Sequence, residues 1–261
     1  MEETRKPLFT IVTVTYNAEG VLAPTLKSVL AQTCKDYEYL VVDGASSDGT
    51  LAMVHKSAIA AMRIVSEPDK GLYDAMNKAI DMANGEYLVF LNAGDSFNGC
   101  DALQRMADAA AGYPDVIYGQ TQLVNENGDV LGPRHLRAPR RLTAKSFAEG
   151  MLVCHQAFVA KHSIMGHYDM KYRFSADFDW CIRCLKASKE NRYLGDEPVI
   201  SYLADGLSQT HRSQSLRERY EIMCKYYGTI PTAFRHLRFA IRFFVNKFRM
   251  MRAQRSLERK E

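Results

Sequence analysis

Two phosphate-binding signatures are missing from this chain of 261 residues. It has no G-x-G-x-x-G after its first apolar run and no G-x-x-x-x-G-K-[ST] anywhere, which sets aside dinucleotide-binding enzymes and P-loop NTPases. No apolar run approaches the ~20 residues that a membrane-spanning helix needs. The opening MEETRKPLFTIVTVTY lacks the small-residue cleavage region of a signal peptide, so the expectation is a chain that stays in the cytoplasm. Cysteines number six and are scattered, with one C-x-x-C at Cys181 and Cys184 and no second pair to complete a zinc site. They read as reduced, buried core thiols.

What is present is an ordinary globular composition, 47% hydrophobic and 25% charged, in a chain long enough to bury a substantial core. The net charge of +4 is unevenly placed. From Pro231 to Glu261 nine Lys/Arg face two Glu, whereas the preceding residues hold 25 basic against 28 acidic ones. The basic character belongs to the tail.

LFTIVTVTY (residues 8–16) is rich in β-branched residues and is followed by Asn17 and Gly20, which predicts a buried strand ending in a loop. Leu22, Leu26, Val29 and Leu30 recur at helical spacing, so residues 21–33 are predicted helical, with Pro24 tolerated near the start. YEYLVVDG is a second strand, residues 50–61 a helix, and RIVSE a third strand. LYDAMNKAIDMANG then predicts a helix with Gly85 near its C-terminal cap, before the fourth strand EYLVFLN. Such alternation implies a mainly parallel sheet flanked by helices, with ligands at the carboxyl ends of the strands. Later, DVIYGQTQLVNENGDVLG predicts a hairpin turning at Asn127-Gly128. SADFDWCIRCLKAS predicts a helix capped by Ser175 or Asp177. SQSLRERYEIMCKYYG is another helix, and a basic one closes the chain.

Polar residues collect at the predicted strand ends: Thr15, Tyr16 and Asn17; then Asp43, Gly44 and Ser46; then Glu67 and Asp69; then Asn92 and Asp95. In a doubly wound sheet these points converge on one crevice. TYNAEG supplies an aromatic face that can stack a base. DGASSDGT supplies a carboxylate on a tight turn that can accept from a base imino or ribose hydroxyl group, although a turn and helix cap accounts for the same segment. Such groups suit a nucleoside.

TIVTVTYNAEGVLAPTLKSVLAQTCKDYEYLVVDGASSDGT, SEPDKGLYDAMNKAI, GEYLVFLNAGD and SADFDW, in that order, resemble the motifs of glycosyltransferase family 2, the inverting nucleotide-sugar transferases of GT-A fold. The resemblance runs over roughly residues 8 to 210. It implies an α/β, Rossmann-like fold with a mixed, mainly parallel sheet and a C-terminal helical tail. A catalytic domain over 1–212 would divide into a nucleotide-sugar-binding half (about 8–97) and an acceptor half (about 98–212), followed by a helical extension over 213–261. The implied reaction moves one sugar from a nucleotide diphosphate donor to an acceptor hydroxyl. Carried over by position, Thr15, Tyr16, Asn17, Asp43 and Gly44, with Ser46 beside them, correspond to nucleotide-binding residues. Asp69 corresponds to a donor-site acid, with Lys70 and Gly71 completing its loop. NAGD takes the place of the metal-binding D-x-D, Asn92 and Ala93 lying on the donor and Asp95 keeping the last acid. Asp177 sits at the catalytic base.

The chemistry agrees with that assignment. Departure of a nucleoside diphosphate develops negative charge that Mg²⁺ or Mn²⁺ can stabilise. Mg²⁺ commonly takes only one or two protein carboxylates, so a single Asp95 can suffice, with His211 a candidate extra ligand or phosphate contact. Inversion needs one base to take the acceptor proton. Asp177 is preferred to Asp179, one of which can simply cap the helix. His155 and Gln156 either bind diphosphate or acceptor hydroxyls or form a hydrogen-bonded core pair. Trp180 belongs beside the acceptor site, as packing or as a stacking face.

The tail FRHLRFAIRFFVNKFRMMRAQRSLERK interleaves Phe234, Leu237, Ile241, Phe244 and Phe248 with Arg and Lys. That amphipathic pattern suits an anionic membrane interface or packing on the protein. No recognition motif or basic groove points to nucleic acid. The resemblance implies a saccharide or polyprenyl-linked acceptor, in bacterial exopolysaccharide, capsule or lipopolysaccharide synthesis, with the enzyme peripheral on the inner face of the cytoplasmic membrane. Two other readings stay open. One is a sugar-nucleotide nucleotidyltransferase, although its glycine-rich activation loop is missing; the other is a non-catalytic nucleotide-sugar-binding or scaffold relative, suggested by the reduced NAGD.

Overall fold

The computed structural model describes residues 6–204 and 212–239. Its centre is β1 (Phe9–Thr15), every residue of which is buried. β1 pairs in parallel with β2 (Tyr37–Asp43) on one side and β4 (Tyr87–Phe90) on the other, and β3 (Met62–Ser66) extends the sheet beyond β2. Strands covered on both faces read as continuous apolar runs, which is why β1, β2 and β4 show little alternation, whereas β3 at the edge is only half-buried. α1 (Leu22–Leu30), α2 (Thr50–Lys56) and α3 (Leu72–Met82) carry the chain between them. All four strands therefore deliver their carboxyl ends to one edge of the sheet.

After β4 come β5 (Ser96–Phe97), α4 (Ala102–Ala109), the hairpin β6 (Val116–Val124) and β7 (Val130–Pro133), and β8 (Phe158–Lys161). α5 (Ala176–Ala187), β9 (Asn191–Leu203) and α6 (Arg212–Tyr227) complete the named elements, and residues 229–239 are helical. The sheet order is β3-β2-β1-β4-β8-β6-β9-β5, with β7 on β6. The later strands thus extend the first sheet, and both halves share one core cluster. α6 packs against this body: Ile222 and Met223 are buried in the core.

Several boundaries differ from the sequence expectation. The helix expected over 50–61 ends at Lys56, and Ala58 and Ala61 then take left-handed backbone (φ 52° and 53°). Gly85 does not cap α3, which ends at an extended Ala83. Instead its N–H donates to Thr10 Oγ1 at 2.8 Å, and a Cβ there would run into the backbone of Phe9 and Thr10. Ser175 occupies the N-cap of α5, but its hydroxyl meets Ser215 of α6 rather than the helix end. α4, β5, β8 and β9 carry no clear pattern in the sequence. The hairpin does turn at Gly128, with φ of 85°. Cys181 and Cys184 lie in the core as free thiols.

Candidate active site

The first two strand ends are tied together at Asp43. Its buried carboxylate accepts from Thr15 Oγ1 (2.8 Å), from Ser46 N–H (2.9 Å) and Oγ (2.5 Å), and from Ser66 Oγ (2.7 Å). Burial works against its charge, but these hydrogen bonds outweigh it and hold the carboxyl below its usual range. All four donors come from the protein and the side chain is buried, so in this structure Asp43 braces the corner. Asn17, in left-handed backbone (φ 48°), donates its N–H to Ser46 Oγ and accepts from Ser47 N–H, both through short bonds across the crevice rim. Asn tolerates that conformation better than most residues.

Beside this brace the backbone leaves an open face. A Cβ on Gly44 would strike the Asp69 carboxylate and come within 3.4 Å of the Tyr16 ring. Three strand ends, carrying Tyr16, Gly44 and Asp69, therefore meet at one spot. The Tyr16 ring is 68% exposed, so it is free to stack a ligand. Asp69 is held by the Gly71 N–H at 2.7 Å, and the Lys70 N–H is held by Asp74. The Lys70 side chain lies in the exposed rim. Gly71, at φ 112° and ψ 176°, makes the sharp entry into α3, a conformation open essentially to glycine alone.

The fourth corner is the turn Asn92-Ala93-Gly94-Asp95. Asp95 N–H closes it on Asn92 O, and Thr25 of α1 pins it by accepting from Gly94 N–H and donating to Asp95 O. The Asp95 carboxylate is buried, with Gln156 Nε2 on Oδ2 (2.5 Å) and the Leu203 N–H on Oδ1 (3.0 Å). Burial pushes this carboxyl up to about 7, against the pull of those two donors. Among the described residues no three His, Cys, Asp or Glu gather into a metal cage. Asn92 Oδ1, however, is a buried acceptor without a partner among the described residues. One carboxylate and one orphaned amide oxygen on the same turn fit a hard cation whose remaining ligands come from substrate phosphates and water. His211 lies outside the described residues.

Asp177 stands in the first turn of α5, half-buried, with Tyr73 Oη (3.1 Å) and the Phe178 N–H (2.9 Å) both donating to Oδ1. In the turn Cys154–Gln156, Gln156 donates to Asp95, and the Asp177 charge acts on His155. Burial pushes the Cys154 thiol up to about 11, and Asp95 and Asp177 both add to that shift while Arg134 opposes it. This turn is thus bonded to Asp95 through Gln156 and lies within reach of the Asp177 charge.

The remaining candidates are turned elsewhere. Asp179 is fully buried, bound by Arg183 Nε (2.7 Å), Lys225 Nζ (3.0 Å) and Tyr226 Oη (2.9 Å). It ties α5 to α6 and is not available to an acceptor. Trp180 is also fully buried; its Nε1–H donates to Gly166 O, and its ring stacks on Tyr168 at 5.1 Å. His155 stacks on Phe90 at 5.2 Å and shares a 2.6 Å hydrogen bond with Tyr168 Oη. Burial holds that imidazole down to about 4, so it is a neutral core group rather than a diphosphate ligand. Gln156 is buried too, and acts on Asp95, with the Cys154 thiol donating to its Oε1. Tyr73 was not singled out from the sequence, where it reads as one more core position of an amphipathic helix.

The fold matches solved structures over most of its length. TarS of S. aureus superposes with a TM-score of 0.68 at 18% identity, covering 88% of this chain and 72% of that one. The mannosyltransferase PcManGT of Pyrobaculum calidifontis, solved with GDP-Man and Mn²⁺, gives 0.63 at 18% identity, covering 90% and 71%. The architecture is the GT-A fold, a mixed sheet flanked by helices with its site at the strand ends. The glycosyl transferase family 2 domain matches residues 10–166. A PGL/p-HBAD biosynthesis glycosyltransferase of Mycobacterium tuberculosis is 35% identical over 186 residues, 68% of this chain and 70% of its own. This chain belongs to glycosyl transferase family 2 and is a glycosyltransferase.

Proposed function

We propose that the enzyme transfers one sugar, with inversion, from a nucleotide diphosphate sugar to the hydroxyl of a lipid-linked or saccharide acceptor in the assembly of a bacterial surface polysaccharide. The observation carrying this reading is the convergence of Tyr16, Gly44 and Asp69 on one open face, with Asp95 closing the turn at the fourth strand end and the half-buried Asp177 carboxylate held, among the described residues, through one oxygen only. Tyr16 stacks the base, Gly44 leaves room for the nucleoside, and Asp69 accepts a donor hydroxyl, while Asp43 and Asn17 keep those corners in register. Ala93 lines the donor side of the NAGD turn. Asp95 and Asn92 would hold Mg²⁺ or Mn²⁺, which supplies Lewis-acid stabilisation of the leaving diphosphate. Asp177 takes the acceptor proton as the new C1–O bond forms and the C1–O bond to phosphate breaks. The nine Lys/Arg from Pro231 onward and the exposed Phe234 and Leu237 favour peripheral attachment to a membrane that carries such an acceptor.

A panel of UDP-, GDP- and dTDP-sugars, with and without Mn²⁺, tests the reading through product release. A nucleoside diphosphate is the expected product, lost in Asp177→Asn with nucleotide binding kept. Release of pyrophosphate would point to a nucleotidyltransferase, and binding without turnover to a non-catalytic relative.

A further inference from the structure

The base proposed above does not stand alone. Both hydrogen bonds to Asp177 arrive at the same oxygen, Oδ1, from Tyr73 Oη and the Phe178 N–H. Oδ2 receives none among the described residues. Of the two donors, the amide comes with the helix. Tyr73 comes from elsewhere in the chain, as the second residue of α3, the helix that begins at the Asp69-Lys70-Gly71 loop.

Its placement is tightly determined. Tyr73 is 6% exposed, and its ring stacks on Tyr168 at 5.4 Å. One turn further along α3, Asn77 clamps Tyr168 by accepting from its N–H (2.7 Å) and donating to its carbonyl (3.1 Å). Tyr168 in turn stacks on Trp180, three residues beyond Asp177 on α5. Positions 73 and 77 share one helix face, so a single face of α3 holds both the base and the aromatic stack behind it. Burial, reinforced by the Asp177 charge, pushes the Tyr73 phenol well above its usual range, so it stays a donor.

We propose that Tyr73 is the positioning residue of the base: its phenol fixes Oδ1 of Asp177, leaves Oδ2 alone to take the acceptor proton, and makes α3 a rigid link between the donor loop and the base. The inference rests on Asp177 being that base. A hydrogen bond to a charged group contributes more than a neutral one, and misplacing a reacting group by about 1 Å is costly in rate.

Sodium azide separates positioning from packing. It attacks C1 as an anion, forming a C–N bond as the C–O bond to phosphate breaks, with no proton to remove. The assay is nucleoside diphosphate release by the full chain, with water as acceptor, from whichever donor the panel identifies. Tyr73→Phe should lower the rate about tenfold to a hundredfold, with donor KM unchanged and the enzyme still fully folded at the assay temperature, and azide should bring it back to near the wild-type rate. Asn77→Ala loosens the same helix face without touching Asp177, and azide should not restore whatever rate it loses. A Tyr73→Phe enzyme at the wild-type rate, or one whose loss azide leaves in place, overturns the role of Tyr73. If instead Asp177→Asn keeps the wild-type rate, the assignment of the base itself fails and takes the Tyr73 role with it.

Discussion

At Gly44 one absent Cβ separates fold from site. Its backbone is not left-handed, so alanine can adopt it, and the first atom an added Cβ meets is the far end of the Asp69 side chain rather than backbone. Gly44→Ala should therefore change stability by less than about 1 kcal/mol while displacing the Asp69 carboxylate and crowding Tyr16. Calorimetric titration with the donor nucleotide should show affinity reduced by about tenfold, beside an unchanged thermal melt. Asp179 is the opposite case, a buried charge that matters to the fold. Asp179→Ala strands Arg183 and Lys225, whose side chains are 32% and 47% exposed. Because those cations reach water, the cost should be about 2–3 kcal/mol, below that of a fully buried pair. Burial opposes the Asp179 charge, but Arg183, Lys225 and Tyr226 outweigh it and depress the carboxyl. Its contribution is thus present above about pH 3.9, the unfolded value, and lost as pH falls through the lower folded one. Urea melts at descending pH should show the wild type losing its advantage over the variant only in that acid window. Of the two aspartates in SADFDW, spacing alone does not separate the proposed base from the acid that ties α5 to α6. Arg183, four residues after Asp179, was the legible sign of a helical ion pair. Nothing local marked His155 as a core group, since its neutralising burial comes from Phe90, Tyr168 and Trp180, remote in sequence.

Among the elements, those of the first half are readable because β1, β2 and β4 are buried over nearly their whole length and α1 and α3 carry an apolar stripe. α2 was overextended because Ala-rich sequence promises helix, whereas Ala58 and Ala61 take left-handed backbone to turn the chain into β3. β9 was missed for a different reason. NRYLGDEPVISYL contains a glycine, a proline and three charges, the features of a loop. Its pairing is imposed by β6, with register shifts near Gln120 absorbing the irregularity. α4 is only two turns long and buries just Ala102, Leu103 and Met106, too little pattern to stand out. The contact between the end of α3 and β1 yields a test at this scale. Gly85→Ala must push the loop off the backbone of Phe9 and Thr10, and backbone cannot swing aside as a side chain does, so the loss should reach about 3 kcal/mol or more. Gly128→Ala, at the hairpin tip with φ of 85° and no atom within 4 Å, should cost only about 1–2 kcal/mol of left-handed strain. Urea unfolding of the two variants side by side checks the ratio. Equal losses would mean that something other than the approach of β1 requires glycine at position 85.

For the whole molecule, the placement of the last described helix bears on where the enzyme works. Among the described residues no helix is long and apolar enough to cross a membrane. The segment 229–239 buries Thr232 and packs Phe239 against the core, and Arg235 and Arg238 reach Glu149. Ile230, Phe234 and Leu237, spaced as one helical face, point the other way and are 72%, 69% and 58% exposed. The side that could have satisfied itself on the protein is thus a different side from the apolar one. In sequence the same face continues through Ile241, Phe244 and Phe248, outside the described residues, amid the Arg and Lys that make the tail basic. An exposed apolar stripe flanked by cations matches the interface of an anionic bilayer, where buried apolar area and charge attraction add. The full chain should therefore sediment with phosphatidylglycerol vesicles, less at high salt and little with pure phosphatidylcholine. Replacing Ile230, Phe234 and Leu237 together by Ser should lower partitioning by about tenfold or more, since each large apolar side chain buried is worth on the order of 1–2 kcal/mol. Donor turnover in solution should stay unchanged, because none of the three touches the crevice. Removal of residues 231–261 should abolish partitioning. If the truncated chain still sediments with the anionic vesicles, the contact lies on another face, and the tail's charge serves some other partner.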